Sequence, residues 1–141
     1  MSSPVSRGIS CAGLDETFDS RERRKSNLLL EGRLLRDQGE NEAAALRFAE
    51  AAAIEEQLSE LSAEKGLTEK SRVHRFSAAS CWAAAGNFYD ALANCEPLLK
   101  QPDLPERLRV SVAEYSGVIR MRRAQWYSEL ERESAETEVA R

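Results

Sequence analysis

A chain of 141 residues with 42% hydrophobic and 31% charged side chains has the size of one domain and enough apolar content to bury a core, which excludes disorder along its whole length. Its formal net charge of -4 and a pI near 5.2 argue against a protein whose main task is to neutralise phosphates. Its uncharged apolar runs fall far short of the ~20 residues that cross a bilayer, and its start lacks the basic-then-apolar order of a signal peptide, so a cytoplasmic location without membrane contact is the expectation.

In chain order, residues 1–19 mix Ser, Gly, Pro and Asp without periodicity and read as a disordered tail. Residues 20–132 are rich in Ala, Leu, Glu and Arg and poor in Val and Ile, the composition of an all-α domain. A first helix is placed near Ser20 to Gln38, with Leu28 and Leu35 inward, and a second near Asn41 to Lys65. The second carries Ala44, Phe48, Ala51, Ile54, Leu58 and Leu61 at steps of three or four, one continuous apolar stripe, while Glu50, Glu55, Glu56 and Glu60 read as its solvated face. A third helix, near Thr68 to Ala85, offers Thr68 as N-cap and presents Val73, Phe76 and Trp82. The fourth, near Phe88 to Lys100, contains Pro97, which is expected to kink or shorten it. The fifth opens with Asp103 and Glu106 spaced as a capping box around Pro105. It then lines Leu108, Val112, Tyr115, Ile119, Trp126 and Leu130 along one face to about Arg132, a cap for the helices before it. Residues 133–141, charged and small, read as a second tail.

Catalytic chemistry finds little to work with. His74 is the single imidazole and no serine, cysteine or carboxylate is tied to it by a motif, so it reads as a polar-face residue and the chain as a non-enzyme without cofactor. Three cysteines without a CxxC spacing, and glutamates without an E-x-x-H, give no metal site. Cys81 and Cys95 read as core thiols, with a redox pair across the second hairpin as the competing reading. Two basic clusters, Arg21, Arg23, Arg24 and Lys25 and then Arg120, Arg122 and Arg123 beside Trp126 and Tyr127, have the composition of a nucleic-acid contact. Against that, Asp15, Glu16, Asp19 and Glu22 dilute the first, and the aromatics of the second are explained as core.

Internal comparison is more informative. A shift of 47 residues lays Gly32, Leu35, Gly39, Ala44, Phe48 and Ala51 onto Ala79, Trp82, Gly86, Ala91, Cys95 and Leu98. Small residues let two antiparallel helices approach, large ones fill the space beside them, and Gly39 and Gly86 supply the positive φ that ends a helix. This order resembles the tetratricopeptide repeat: Gly32, Gly39, Ala44, Phe48 and Ala51 match its first copy, and Ala79, Trp82, Gly86, Phe88 and Ala91 its second, with Cys95 where the family has Phe. The copies stand further apart than the family's spacing of about 34 residues, the extra length falling in the second helix.

The resemblance implies a concave face lined by one helix of each hairpin. Carried across position by position, that face holds Leu29, Arg33 and Arg36, then Val73, Phe76 and Ser80, then Arg107 and Val110. It would suit a protein or peptide segment carrying hydrophobic side chains and carboxylates. Leu29 and Arg33 stand where the family's carboxylate clamp has asparagines, which argues against a chaperone C-terminus. The expected function is a non-enzymatic protein-interaction module or adaptor. A structural subunit forming a homo-oligomer through exposed helix faces is the alternative, and an RNA-binding helical scaffold ranks third.

Overall fold

The computed structural model describes residues 12–140, and among them it contains five helices and no strand. They are α1 (Ala12–Asp37), α2 (Asn41–Glu64), α3 (Thr68–Ala84), α4 (Phe88–Leu99) and α5 (Glu106–Ala140). None of them is long and apolar enough to cross a membrane.

The first three connections are one device used three times. Gly39, Gly66 and Gly86 take φ of 79°, 76° and 80°. Each glycine donates to the carbonyl three residues back, and the next residue donates five back, at 2.8 Å from Glu40 to Leu35, 2.8 Å from Leu67 to Ser62 and 2.9 Å from Asn87 to Trp82. These are Schellman closures, which satisfy carbonyls that a helix end would otherwise leave without a donor, and a side chain at the positive φ would be strained. The next helix starts at once, so each pair reverses direction within three residues.

Consecutive helices therefore pack antiparallel, α1 on α2, α2 on α3, α3 on α4 and α4 on α5. The odd-numbered helices lie side by side and parallel on one face. Phe18 of α1 meets His74 of α3 edge-on with centroids 5.7 Å apart, and Phe76 of α3 meets Tyr115 of α5 at the same distance. On the other face Asn94 of α4 donates to Glu56 of α2 at 2.8 Å. The core has two halves. One centres on Leu28, Ala51, Ala52, Ile54, Leu58 and Cys81, the other on Ala79, Ala91, Cys95, Leu98, Val112 and Ile119. Trp82 packs against both halves, and its indole N–H is satisfied by Glu56 at 2.9 Å.

The small residues of the first hairpin have a direct cause. A Cβ placed on Gly32 would meet three ring atoms of Phe48 at 3.0 to 3.2 Å, so the backbone of α1 lies against that ring. Ala44 and Ala51, one turn to either side of Phe48 on α2, are buried with it.

Several expectations change. α1 begins at Ala12, so residues 12–19 are helical; Phe18, packed on the first core half, explains why helix extends there. The rest of the expected N-terminal tail, residues 1–11, lies outside the described residues, as does Arg141. α5 runs to Ala140, so residues 133–140 are helical, with three glutamates and two alanines of high helix propensity and Thr137 bonded back to Glu133. Thr68 is the first helical residue, and the cap position falls to Leu67, which makes no side-chain cap bond. The box expected at Asp103 does not form, because α5 starts at Glu106 and the Asp103 carboxylate instead pairs with Arg72 at 2.9 Å. The inward face of α5 holds only as far as Ile119; Trp126 and Leu130 are exposed, because α4 is too short to cover them. α4 does end early, two residues past Pro97.

Candidate binding face

On the odd-helix face, α1 and α3 diverge above α2 to leave a cleft of about 400 Å³ lined by Leu29, Arg33, Arg36, Phe48, Ser80 and Ala84, with Lys25, Glu55, Ser77 and Cys81 deeper along it. Four of the eight residues expected to contact a partner thus meet in one place. The Arg36 guanidinium lies over the Phe48 ring, 5.2 Å from its centroid, a contact that fixes the charge at the rim while leaving its N–H donors outward. Arg33 is exposed on the same side. The cleft therefore sets the apolar side chains of Leu29, Phe48 and Ala84 beside two cations that no ion pair among the described residues engages, above a polar interior.

A second hollow, about 560 Å³, lies between α3 and α5 and takes in Val73 and Arg107 with Glu69, Arg72, Pro105 and Leu108. Arg72 is tied down there by Gln101 at 2.7 Å and by Asp103 at 2.9 Å, and the exposed Asp103 carboxyl is held below the usual carboxylate range, chiefly by its hydrogen bond to Arg72. Phe76 does not line either hollow: it stands between them, half-buried against the second core half and Tyr115. Val110 is exposed outside both. The face is two hollows separated by an aromatic wall.

Beneath the first cleft sits a polar cluster that the sequence reading did not find. His74 is buried, and its Nδ1 lies 2.8 Å from Glu55 Oε1, so neither residue belongs to the solvated face expected for it. The reason is that α2 is covered on two sides, by α1 and by α3, and Glu55 points into the junction. Lys25 Nζ stands 3.7 Å from Glu55 Oε2 and 3.0 Å from Glu22 Oε1. The Glu22 oxygen is buried without a directed hydrogen bond, so the ammonium holds it by charge. Burial lowers the Lys25 pKa, but the Glu22 contact and the Glu55 charge outweigh it and leave it raised.

Glu22, Glu55 and His74 bring three donor atoms within 4.8 Å of one another, a spacing a metal ion could bridge. Lys25 already supplies the cation between the two carboxylates, and any ion would have to displace it. Cys81 also borders this cluster. Its thiol is pushed up to about 11, first by burial and then by the Glu55 charge, the opposite of what a nucleophile or redox thiol needs. Cys95 is raised by burial too, and the two thiols belong to different core halves, so the core reading stands and the redox pair does not form.

Three of the four residues of the first basic cluster are engaged within the fold, and Arg23 is exposed. Arg21 donates to Gln57 at 3.1 Å, Arg24 pairs with Glu50 at 3.1 Å, and Lys25 is spent on the buried carboxylates. Only a spatial argument could reveal most of this, since Gln57, Glu50 and Glu55 lie on α2 and only Glu22 shares α1 with the cluster. No family model, curated protein or solved structure matches this chain significantly.

Proposed function

We propose that this chain is a tetratricopeptide-like interaction module that holds an extended or helical segment of another protein on its odd-helix face, and that it performs no chemistry of its own. The observation that carries the reading is the cleft between α1 and α3, where Arg33 and the Phe48-stacked Arg36 stand beside Leu29 and Ala84. Parallel packing of α1, α3 and α5 over α2 and α4, three equal glycine turns, and the Gly32–Phe48 contact support the family resemblance. The imidazole is sealed against Glu55 and the neighbouring thiol is held protonated, which supports a binding role over a catalytic one. The ligand class follows from the cleft: a short segment with an apolar side chain to lie against Leu29 and Ala84 and carboxylates for the arginines.

Selection of peptides from a random library displayed against the intact chain should enrich sequences that place Asp or Glu beside Leu, Phe or Met. Arg33→Glu with Arg36→Glu should abolish capture of those peptides while the melting temperature stays near that of the parent, since exposed charges contribute little to stability. Enrichment of basic or featureless peptides, or undiminished capture by the reversed variant, would remove the cleft as the binding surface.

A further inference from the structure

The apolar stripe of α5 outruns the stack it covers. Leu108, Val112, Tyr115 and Ile119 pack against the second core half, and at the same helical phase follow Trp126 and Leu130, which are 49% and 40% exposed, with Tyr127 beside them at 53%. Every residue from Ala124 to Val139 is exposed, sixteen positions and about 24 Å of helix, with Trp126 and Tyr127 at its root bordering a hollow beside the α3–α4 turn and Phe88 and Tyr89. A helix of that length is marginal in water on propensity alone. The large aromatic residues at its root form a T-shaped pair with centroids 5.1 Å apart.

The charges on this arm say what covers it. Arg120, Arg122 and Arg123 occupy its base, whereas the stretch from 129 to 138 holds five glutamates against the single Arg132. Two copies side by side and parallel would set arginine on arginine and glutamate on glutamate. Side by side and antiparallel, each acidic tip meets the other's basic base, and Trp126 and Leu130 fall near the middle of the shared seam. Opposite ends of one helix are thus complementary to each other, which is the self-complementarity a two-fold interface requires.

We infer that the exposed half of α5 is a dimerisation arm that pairs antiparallel with the same arm of a second copy of this chain. Its seam is built on Trp126, Tyr127 and Leu130, and its direction is set by the arginines at the base meeting the glutamates at the tip. The arm lies outside the α1–α3 cleft, so the two surfaces act independently, and arm variants should capture peptides as the parent does.

The test is a charge exchange read by sedimentation equilibrium on the full chain. The parent should be dimeric. Arg122→Glu with Arg123→Glu, and separately Glu133→Arg with Glu136→Arg, should each raise the dimer dissociation constant by about tenfold or more while leaving helicity and melting of the monomer unchanged. An equimolar mixture of the two variants should recover heterodimers, and one chain carrying all four substitutions should recover the homodimer, because both restore opposite charge at every antiparallel contact. A parent that is monomeric into the high micromolar range overturns the inference. So does a dimer indifferent to these substitutions, or a four-fold variant that stays monomeric while its parent dimerises, which would point to parallel pairing or to a different surface.

Discussion

Gly32 and Gly117 are both helical glycines, and their surroundings assign them opposite roles. Helix propensity favours alanine over glycine by about 1 kcal/mol in an open helical site. Gly117 is such a site, with nothing within 4 Å of a built Cβ, so Gly117→Ala should raise stability by roughly 0.5–1 kcal/mol. At Gly32 the same change drives a methyl group into the buried Phe48 ring at 3.0 Å, which should cancel the gain, and Gly32→Val should cost about 1–3 kcal/mol by overpacking. Phe48→Leu should relieve the clash, so Gly32→Ala in that background should be stabilising; urea denaturation of the four proteins gives the signs. The close approach at Gly32 was legible in the sequence, because small residues at a fixed offset on consecutive helices are a local pattern, but that its backbone lies on the Phe48 ring was not. The burial of Glu55 and His74 was not, since it arises where three helices meet and no spacing along one helix reports it. That junction also has a pH signature. The Cys81 thiol is raised from an ordinary 9.0 to about 11, so the fold favours its protonated form. Its contribution is complete below pH 9 and is lost as pH climbs through 11, with the raised Lys25 ammonium adding a loss of the same sign at the upper end. Thermal melts from pH 8 to 11 should fall more steeply for the parent than for Cys81→Ala, and the thiol should react slowly with an aromatic disulfide at neutral pH.

At the scale of the helix, five segments and their order could be read from glycine and proline positions, because each break is a chemical singularity in an otherwise helix-forming chain. Ends were harder. Phe18 holds the start of α1 through contacts with His74 and with Lys70, whose ammonium lies 4.7 Å from the ring centroid, both more than fifty residues away in sequence. Asp103 left its expected cap because Arg72, also distant in sequence, binds it better than an amide would. α5 divides into a packed half and a free half at about Arg123, and the two should respond differently to deletion. Truncation after Gln101 removes Leu104, Val112 and Ile119 from the second core half and should leave a molten or aggregating species. Truncation after Arg123 removes residues 124–139, all of them exposed, and should leave the melting temperature of the monomer almost unchanged. Calorimetry of the two truncations separates the halves: a cooperative transition in the shorter chain would mean that the first two hairpins fold without their cover.

The whole molecule is a stack whose two core halves meet at one indole and whose last helix leaves it. Its composition foretold an all-α domain but not this division, since apolar residues on α5 look alike whether a neighbour covers them or not. The expected single groove became two hollows because Phe76 was placed by pattern on the open face, whereas Tyr115 on α5 draws it into the wall. The two tryptophans stand on either side of the same division. Trp82 is half-buried between the core halves with its N–H on a carboxylate, while Trp126 is exposed at the root of the arm. The molecule consequently carries two fluorophores in unlike media, and its emission spectrum is a sum of a bluer and a redder component. Denaturant moves the bluer one to longer wavelength. Self-pairing of the arm moves the redder one the other way and shields it from iodide, so one spectrum separates unfolding from association without any added label.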